Sequence, residues 1–148
     1  MKLHIELVPQ NCWGVNLRTK LKKSDWDRIR KDVYVNENMY CHICGEKCKS
    51  LDVHEIWKFD EKNNVQKLIE IIGICRQCHN TIHFGRAQKI GLQKEAIEQF
   101  IKVNNCEMIE LQEEFLRAKG DYERRSEIKD WKLDVTFIEN KGYIVKKY

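Results

Sequence analysis

The sequence predicts an α+β protein, in which helices flank a zinc centre and a small antiparallel sheet forms the C-terminal end. Two Cys-x2-Cys pairs predict the zinc centre, because together they supply the four sulfur ligands that structural zinc prefers. Apolar residues three and four positions apart predict helices on both sides of it. Alternating apolar and polar residues near the C-terminus predict the sheet.

Two elements are predicted before the first cysteine pair. Residues 3–7 alternate apolar and polar side chains, which predicts a short strand that ends at Pro9. Ser24 with Asp27 resembles a capping box, and the apolar residues after it recur at helical spacing. We therefore expect a helix over about 24–35.

The cysteine pairs enclose the next elements. Residues 39–60 hold the first pair and a hairpin-like segment that ends in turn-forming residues. Residues 68–74 are rich in β-branched side chains and lead into the second pair as a strand. A short helix that carries His79 and His83 should follow and end near Gly85.

The C-terminal part is predicted as two helices and a hairpin. Apolar side chains recur at helical spacing within 92–101 and within 108–118, and we expect Gly120 to end or interrupt the second helix. Residues 131–145 alternate around a turn at Gly142, which predicts two antiparallel strands.

Length and composition indicate one domain over 1–148, with a zinc-braced core at about 39–86 between an N-terminal part (1–38) and a C-terminal part (87–148). The net charge of +4 is compatible with a nucleic-acid partner. No apolar stretch is long enough to span a membrane, and the N-terminus lacks the apolar core of a signal peptide. We therefore expect no membrane association and a cytoplasmic location. In a reducing cytoplasm, paired cysteines favour a metal over disulfides.

The four paired cysteines are the candidate ligands of a structural zinc ion. They are Cys41, Cys44, Cys75 and Cys78. Cys48 lies shortly after the first pair and is an alternative ligand, although a small buried side chain is the simpler interpretation.

Histidines around the zinc scaffold predict a second, chemically active site. His79 and His83 are four residues apart, so on a helix they share one face. His54 and Glu55 would point to opposite faces of a flat strand, so a bulge or a strand end must bring both into one site. Three imidazoles from a strand and a helix could hold one divalent ion (Mg, Mn, Ni or Zn) and leave a coordination position open. The alternative is that His79 completes the structural zinc site and that another of these histidines packs or caps.

These segments resemble a known enzyme family. The chain is similar to HNH endonucleases of the His-Me finger (ββα-metal) type with an added zinc knuckle, and to small bacterial and phage HNH-like proteins, where the likeness extends to Trp26 and Trp131. The motifs that carry it are Cys-His-Ile-Cys at 41–44, Leu-Asp-Val-His-Glu-Ile at 51–56 and Ile-Cys-Arg-Gln-Cys-His-Asn-Thr-Ile-His at 74–83.

The resemblance implies a ββα-metal, treble-clef-like centre and metal-dependent hydrolysis of phosphodiester bonds in DNA. It implies that His54 is the hairpin ligand of the catalytic ion and that His79 and His83 are its helix ligands. Glu55 stands where the family has its general-base histidine, and Glu70 stands where an asparagine orients that base. A shift of one residue would instead make His54 the base. Because a carboxylate beside a cation is a weaker base, we expect slower hydrolysis.

Basic residues are the candidate contacts to phosphate. Arg76 and Arg86 flank the helix of the second cysteine pair, and Lys22 and Lys23 belong to a basic run over 18–31. Any one of these charges also fits an ordinary solvated surface.

A second class of function is compatible with the same residues. A catalytically inactive, zinc-stabilised module would bind nucleic acid or a protein partner, for example as a phage regulator or inhibitor of a host system. The sequence therefore predicts a metal-dependent nuclease, with this binding module as the alternative.

Overall fold

The computed structural model describes residues 1–12 and 16–146; the predicted domain span also contains 13–15 and 147–148, which lie outside the described residues. The described part is an α+β fold, and none of its helices is long and apolar enough to cross a membrane. In chain order its elements are a 3-10 helix (Gln10–Cys12), α1 (Leu17–Lys20), α2 (Lys23–Glu37), β1 (Asp52–Asp60), β2 (Val65–Ile74), α3 (Arg76–Ile82), α4 (Phe84–Lys89), α5 (Gln93–Asn104), α6 (Met108–Ser126), β3 (Lys132–Asp134) and α7 (Thr136–Glu139).

The central element is the antiparallel hairpin of β1 and β2, where the sequence predicts a hairpin-like segment within 39–60 and a strand over 68–74. Its turn follows from the residues that form it. Asp60 Oδ1 accepts hydrogen bonds from the backbone N–H groups of Lys62 and Asn63, and Asn64 adopts a left-handed conformation with φ of 57°. A register shift marks a β-bulge between Ile56 and Trp57.

The sheet has three strands in the order β1-β2-β3, so β1 is an outer strand. Buried side chains cover both faces of the sheet in two separate clusters. The first core packs the sheet against the helices α3 to α6, and it contains Leu3, Ile5, Cys41, Ile72, Ile74, Cys75, Cys78, Ile82, Phe84, Ala87, Ala96, Phe100, Leu111 and Ala118. The second core packs the sheet against α1, α2 and α7, and it contains Leu17, Leu21, Ile29, Val33, Leu68, Val135 and Ile138.

Gly73 allows α2 to approach β2 closely. A Cβ atom at this position would lie 2.9 Å from Leu51 Cδ1 and 3.0 Å from Val33 Cγ1, which is closer than carbon atoms pack. The second core therefore depends on a glycine in the strand.

The N-terminal segment is not the strand predicted at 3–7. The apolar residues of the alternating pattern do face the interior, because Leu3 and Ile5 are fully buried in the first core. The partners are helix side chains rather than a neighbouring strand. Asn104 Oδ1 accepts hydrogen bonds from the N–H groups of Lys2 and Leu3, and Glu114 Oε1 accepts one from the N–H of Ile5. The segment is thus held between α5 and α6.

The predicted C-terminal hairpin is also wrong. Only Lys132–Asp134 forms a strand, and it pairs parallel with β2, so the sheet is mixed rather than antiparallel. Asp134 ends this strand because its Oδ1 atom accepts hydrogen bonds from both the backbone N–H and the hydroxyl of Thr136. The chain then enters α7, and residues 143–146 form no strand.

Several predicted helix ends differ from the structure. The helix expected to end near Gly85 ends at Ile82, so His83 follows it rather than lying within it. The N-cap of α2 is Lys22 and lacks a side-chain cap, so Ser24 lies inside the helix and forms no capping box. Gly120 neither ends nor interrupts α6, which continues to Ser126. A capping box of Glu107 and Glu110 starts that helix and was not predicted.

Glu114 should be a main determinant of stability, because its buried carboxylate joins α6 to the N-terminal segment. It accepts hydrogen bonds from the N–H of Ile5 and from Arg117. We expect Glu114→Ala to lower the free energy of unfolding by about 1–3 kcal/mol, since the buried N–H of Ile5 loses its partner. Glu113→Ala, at an exposed position of the same helix, is the matched control. Chemical denaturation followed by circular dichroism measures both.

The same carboxylate predicts a pH dependence. Burial alone would raise the pKa of Glu114, but hydrogen bonds from Arg117 and Ile5 lower it more, so its folded pKa lies below the unfolded value of 4.5. Its stabilisation is therefore complete above pH 4.5 and is lost as the pH falls through the folded pKa. The difference in free energy of unfolding between wild type and Glu114→Ala should therefore become smaller below pH 4.5. A difference that stays constant from pH 7 to 3 would contradict this prediction.

Candidate metal centre and cleft

The four predicted cysteines form one cluster, although they come from two distant parts of the chain. Their sulfur atoms lie within 4.8 Å of one another, and Cys44 Sγ is 3.8 Å from Cys75 Sγ. Four sulfurs around a tetrahedral zinc ion at about 2.3 Å would be about 3.8 Å apart. The donor set and spacing therefore fit a structural zinc ion.

Local backbone structure places these sulfurs. The N–H of Cys44 points to Cys41 Sγ at 3.5 Å, and Gly45 closes this turn with φ of 77°. Cys75 is the N-cap of α3, where its Sγ accepts a hydrogen bond from the N–H of Cys78. One pair thus lies in a tight turn and the other at the start of a helix.

Electrostatics also favour a cation at the cysteine cluster. Hydrogen bonds from the Cys75 and Cys78 thiols lower the pKa of Cys41. The same hydrogen bond from Cys78 to Cys41, now holding its proton in place, raises the pKa of Cys78. Successive thiolates repel one another here, so a divalent ion is needed to hold all four in the ionised form.

The alternative ligands are not part of this cluster. Cys48 Sγ instead donates a hydrogen bond to the carbonyl oxygen of Glu46. Four cysteines already complete a tetrahedral set, and His79 belongs to a different group of side chains. The alternative in which His79 completes the structural zinc site is therefore wrong.

His54, His79 and His83 come together as a second group, named here the histidine cluster. One ring nitrogen from each lies within 4.8 Å of the others, and the ring centroids are 4.8–5.6 Å apart. β1 supplies His54, α3 supplies His79, and His83 lies at the junction of α3 and α4. Three convergent imidazoles could hold one metal ion and leave a coordination position for another ligand.

Asp52 orients one of these rings. Its Oδ2 atom lies 3.0 Å from His79 Nδ1 and 2.9 Å from Arg76 Nε. A carboxylate that accepts the Nδ1–H leaves Nε2 of His79 unprotonated and directed to the cluster, as is usual for metal-binding histidines. Asp52 and His54 are two residues apart on β1, so they share one face of the strand.

The imidazoles of His54 and His83 are neutral at neutral pH. Burial lowers the pKa of His54 to about 3, and the neighbouring His83 and His79 lower it further in the same direction. Burial likewise lowers the pKa of His83 to about 4. Protons therefore do not compete for these nitrogens near pH 7.

Glu55 lines the same cleft, but it is not grouped with the histidine cluster. Its Oε1 atom accepts a hydrogen bond from the N–H of Leu17, and its Oε2 atom accepts one from Trp57 Nε1, so the carboxylate is held on the opposite face of β1. A bulge next to His54 could have brought both side chains together. The bulge lies further on, after Ile56.

Glu6 is, besides Asp52, a carboxylate that lies beside the histidine cluster. Its Oε2 atom is 3.7 Å from His54 Nε2. Burial raises the pKa of Glu6 to about 7, against the opposing effects of Arg117 and Arg125. The Glu6 side chain is 47% exposed, so water still reaches the carboxylate.

The histidine cluster opens into a cleft of about 1540 Å³. Seven Lys and Arg side chains line this cleft, against five Asp and Glu side chains. Of the predicted phosphate contacts, Arg76, Arg86 and Lys23 line it, whereas Lys22 does not. The basic character of the cleft fits an anionic ligand.

Several lining residues were missed from the sequence. Asp52 could have been found from its spacing of two residues to His54 on a predicted strand. Arg30 lies in the predicted basic run and Trp26 in the family resemblance, but neither was assigned to the cleft. With Tyr34 they recur every four residues on α2. Glu6 left no local signal, because its position depends on contacts made by the N-terminal segment.

No family model, curated protein or solved structure matches this chain.

Loss of one zinc ligand should remove the metal and most of the stability. We expect Cys44→Ser to bind one equivalent of zinc fewer than wild type and to melt at a much lower temperature. Zinc binding of this kind stabilises by about 10–16 kcal/mol, which is comparable to the stability of a whole domain. Cys106→Ser, at a similarly half-buried cysteine outside the cluster, is the matched control. Elemental analysis and thermal melts check both; a Cys44→Ser protein with unchanged zinc and melting temperature would contradict the assignment.

Proposed function

We propose that this protein is an HNH-type, metal-dependent endonuclease that hydrolyses phosphodiester bonds in DNA. The observation that carries the proposal is the convergence of His54, His79 and His83 at a cleft in which basic side chains outnumber acidic ones. The proposal assigns a structural zinc ion to the cysteine cluster and a second divalent ion (Mg, Mn, Ni or Zn) to the histidine cluster.

The order of elements supports a ββα-metal, treble-clef-like interpretation of the centre. A turn with two cysteines is followed by the hairpin of β1 and β2, and α3 starts directly at the second cysteine pair. The hairpin contributes His54 and the helix contributes His79. These are the positions that the sequence resemblance assigns to the ligands of a catalytic ion.

Each side chain near the cluster then has a role. The second ion, when bound, supplies the positive charge that stabilises a phosphate as negative charge develops on it. Asp52 holds His79 in the required orientation and also holds the guanidinium of Arg76. Arg76 and Arg86 bind the phosphates on either side of the bond that is cleaved.

Glu6 replaces Glu55 as the proposed general base. A general base must lie within reach of the water that attacks phosphorus, and Glu6 is the carboxylate beside His54. Glu6 orients this water and takes its proton as the new P–O bond forms. The bond from phosphorus to the 3′ oxygen breaks, and solvent water donates a proton to the 3′ oxygen. The carboxylate of Glu55 has a structural role, because it joins β1 to the start of α1.

A second candidate function follows from the position of Glu55. Since the residue at the predicted base position lies away from the histidine cluster, the site lacks one standard part of the family. A zinc-stabilised module that binds nucleic acid or protein without catalysis would tolerate this change. Such a module would bind one metal ion per chain under saturating conditions, whereas the nuclease binds two.

Removal of a histidine ligand should abolish cleavage without unfolding the protein. We expect wild type to nick supercoiled plasmid DNA in the presence of Mg, Mn, Ni or Zn, and His83→Ala to lose this activity while it keeps the zinc at the cysteines. His42→Ala is the matched control, because His42 is exposed and pairs with Glu37 rather than with the cluster. Gel assays, with circular dichroism for folding, check these expectations. Wild type that nicks with none of the four metals, or His83→Ala that nicks like wild type, would overturn the proposal.

The two carboxylates near His54 can be separated in the same assay. We expect Glu6→Gln to lower kcat by about 10²–10⁴-fold with little change in metal content, because a positioned base contributes about that factor. Glu55→Gln should lower thermal stability but leave kcat within a few fold, since its partners are Leu17 and Trp57. Single-turnover cleavage rates are compared for the two variants, and thermal melts measure their stability. The reverse pattern, with Glu55→Gln inactive and Glu6→Gln active, would restore Glu55 as the base.

A further inference from the structure

One face of α2 forms a wall of the cleft and combines cationic with aromatic side chains. Lys23, Trp26, Arg30 and Tyr34 all line the cleft, and each is three or four residues from the next. This spacing places them along one side of the helix. From Lys23 to Tyr34 the helix rises about 16 Å, which is long enough to contact more than one nucleotide. We call this set the α2 stripe.

The other basic residues of α2 do not belong to the α2 stripe. Arg28 and Lys31 are exposed and do not line the cleft. The basic run predicted from the sequence is thus divided by the helix into a cleft side and a solvent side. Only the cleft side also carries aromatic rings.

Arg30 has a hydrogen-bond donor without an acceptor. Its Nη2 atom bonds to Asp27 Oδ1 at 3.0 Å, but its Nε atom is shielded from water and has no partner among the described residues. A buried donor without an acceptor costs free energy in the free protein. The Arg30 side chain as a whole is 43% exposed, so the outer part of its guanidinium can meet a ligand in the cleft, and a phosphate oxygen suits a guanidinium best.

Both aromatic side chains of the α2 stripe line the cleft. Trp26 packs partly against the second core and also lines the cleft, so it is anchored without being fully buried. Tyr34 lines the cleft two turns further along and is half-buried. Aromatic rings beside cationic groups are the combination that binds nucleic-acid strands by base stacking.

We propose that the α2 stripe binds unpaired nucleotides, so that the substrate of the cleft is DNA with a single-stranded segment, such as a gap, a loop or a locally unwound region of supercoiled DNA. Trp26 and Tyr34 stack on exposed bases, and Lys23 and Arg30 bind the intervening phosphates. Bases inside a duplex are stacked on each other and cannot offer their faces to these rings. The inference rests on the proposed function only for the placement of the cleaved phosphate at the histidine cluster.

Binding and cleavage are measured separately to test this. Zinc-loaded protein without further divalent ions is titrated into a fluorescently labelled single-stranded oligonucleotide and into the matched duplex, and anisotropy is recorded. We expect a Kd at least tenfold lower for the single strand. Tyr34→Leu should weaken single-strand binding by about 5- to 100-fold, and Tyr34→Phe should restore it, because the ring rather than the hydroxyl stacks.

Arg30 and Arg28 give a matched pair of charge changes. Arg30→Ala should weaken single-strand binding at least fivefold and reduce the slope of log Kd against log salt by about one, since one phosphate contact is lost. Arg28→Ala, on the solvent side of the same helix, should change Kd less than twofold. Neither position belongs to the main cores, so folding is preserved and circular dichroism verifies it.

The outcomes separate the two proposals. Equal or tighter binding of the duplex, or unchanged single-strand binding by Tyr34→Leu and Arg30→Ala, overturns the α2 stripe as a binding site. Single-strand binding that depends on the α2 stripe, with no cleavage when metal ions are added, supports this inference and rejects the nuclease. Cleavage of duplex DNA that is unaffected by Tyr34→Leu supports the nuclease and rejects this inference.

Discussion

The cysteine cluster is the constraint on which the rest of the structure depends. It brings the turn at 41–44 against the first turn of α3, so the hairpin between them must fold back on itself and run into the helix. This return places His54 on β1 opposite His79 on α3. The two clusters are linked directly along the chain, because Cys78 and His79 are consecutive residues of one helix. A site suited to zinc thus fixes the geometry of the histidine cluster.

The cleft exists because the two faces of the sheet are packed by different elements. One side is formed by the N-terminal segment and α6, which belong to the first core, and the other by α1 and α2, which pack on the second core. The N-terminal segment keeps its place through the side chains of Asn104 and Glu114 rather than through strand pairing. Glu6 therefore reaches the histidine cluster from a part of the chain that lies outside the hairpin and α3. The cleft is therefore lined by residues that are far apart in the sequence.

Local sequence patterns predicted local structure well, but they did not predict contacts between residues that are far apart in the sequence. Spacing alone identified the cysteine cluster, the three histidines, the hairpin and the positions of α5 and α6, because each depends on residues close together in the chain or on a known ligand geometry. The alternation at 3–7 was read as a strand, since nothing in it shows that Asn104 and Glu114, about a hundred positions later, replace a neighbouring strand. The predicted C-terminal hairpin does not form, because Asp134 accepts two hydrogen bonds from Thr136 and so ends the strand after three residues. A shared site for His54 and Glu55 requires a bulge between them, and a sequence does not show where a bulge falls within a strand.

The outer position of β1 has a consequence for the behaviour of the protein at high concentration. Side chains from both faces of β1 line the cleft, so the open edge of the sheet points into it rather than outward. An open strand edge is a template on which a second chain can add, and proteins usually block it with charges, bulges or covering segments. Here the walls of the cleft screen the edge, and the bulge after Ile56 distorts it. The recess that would admit a ligand therefore also guards against self-association and fibril growth.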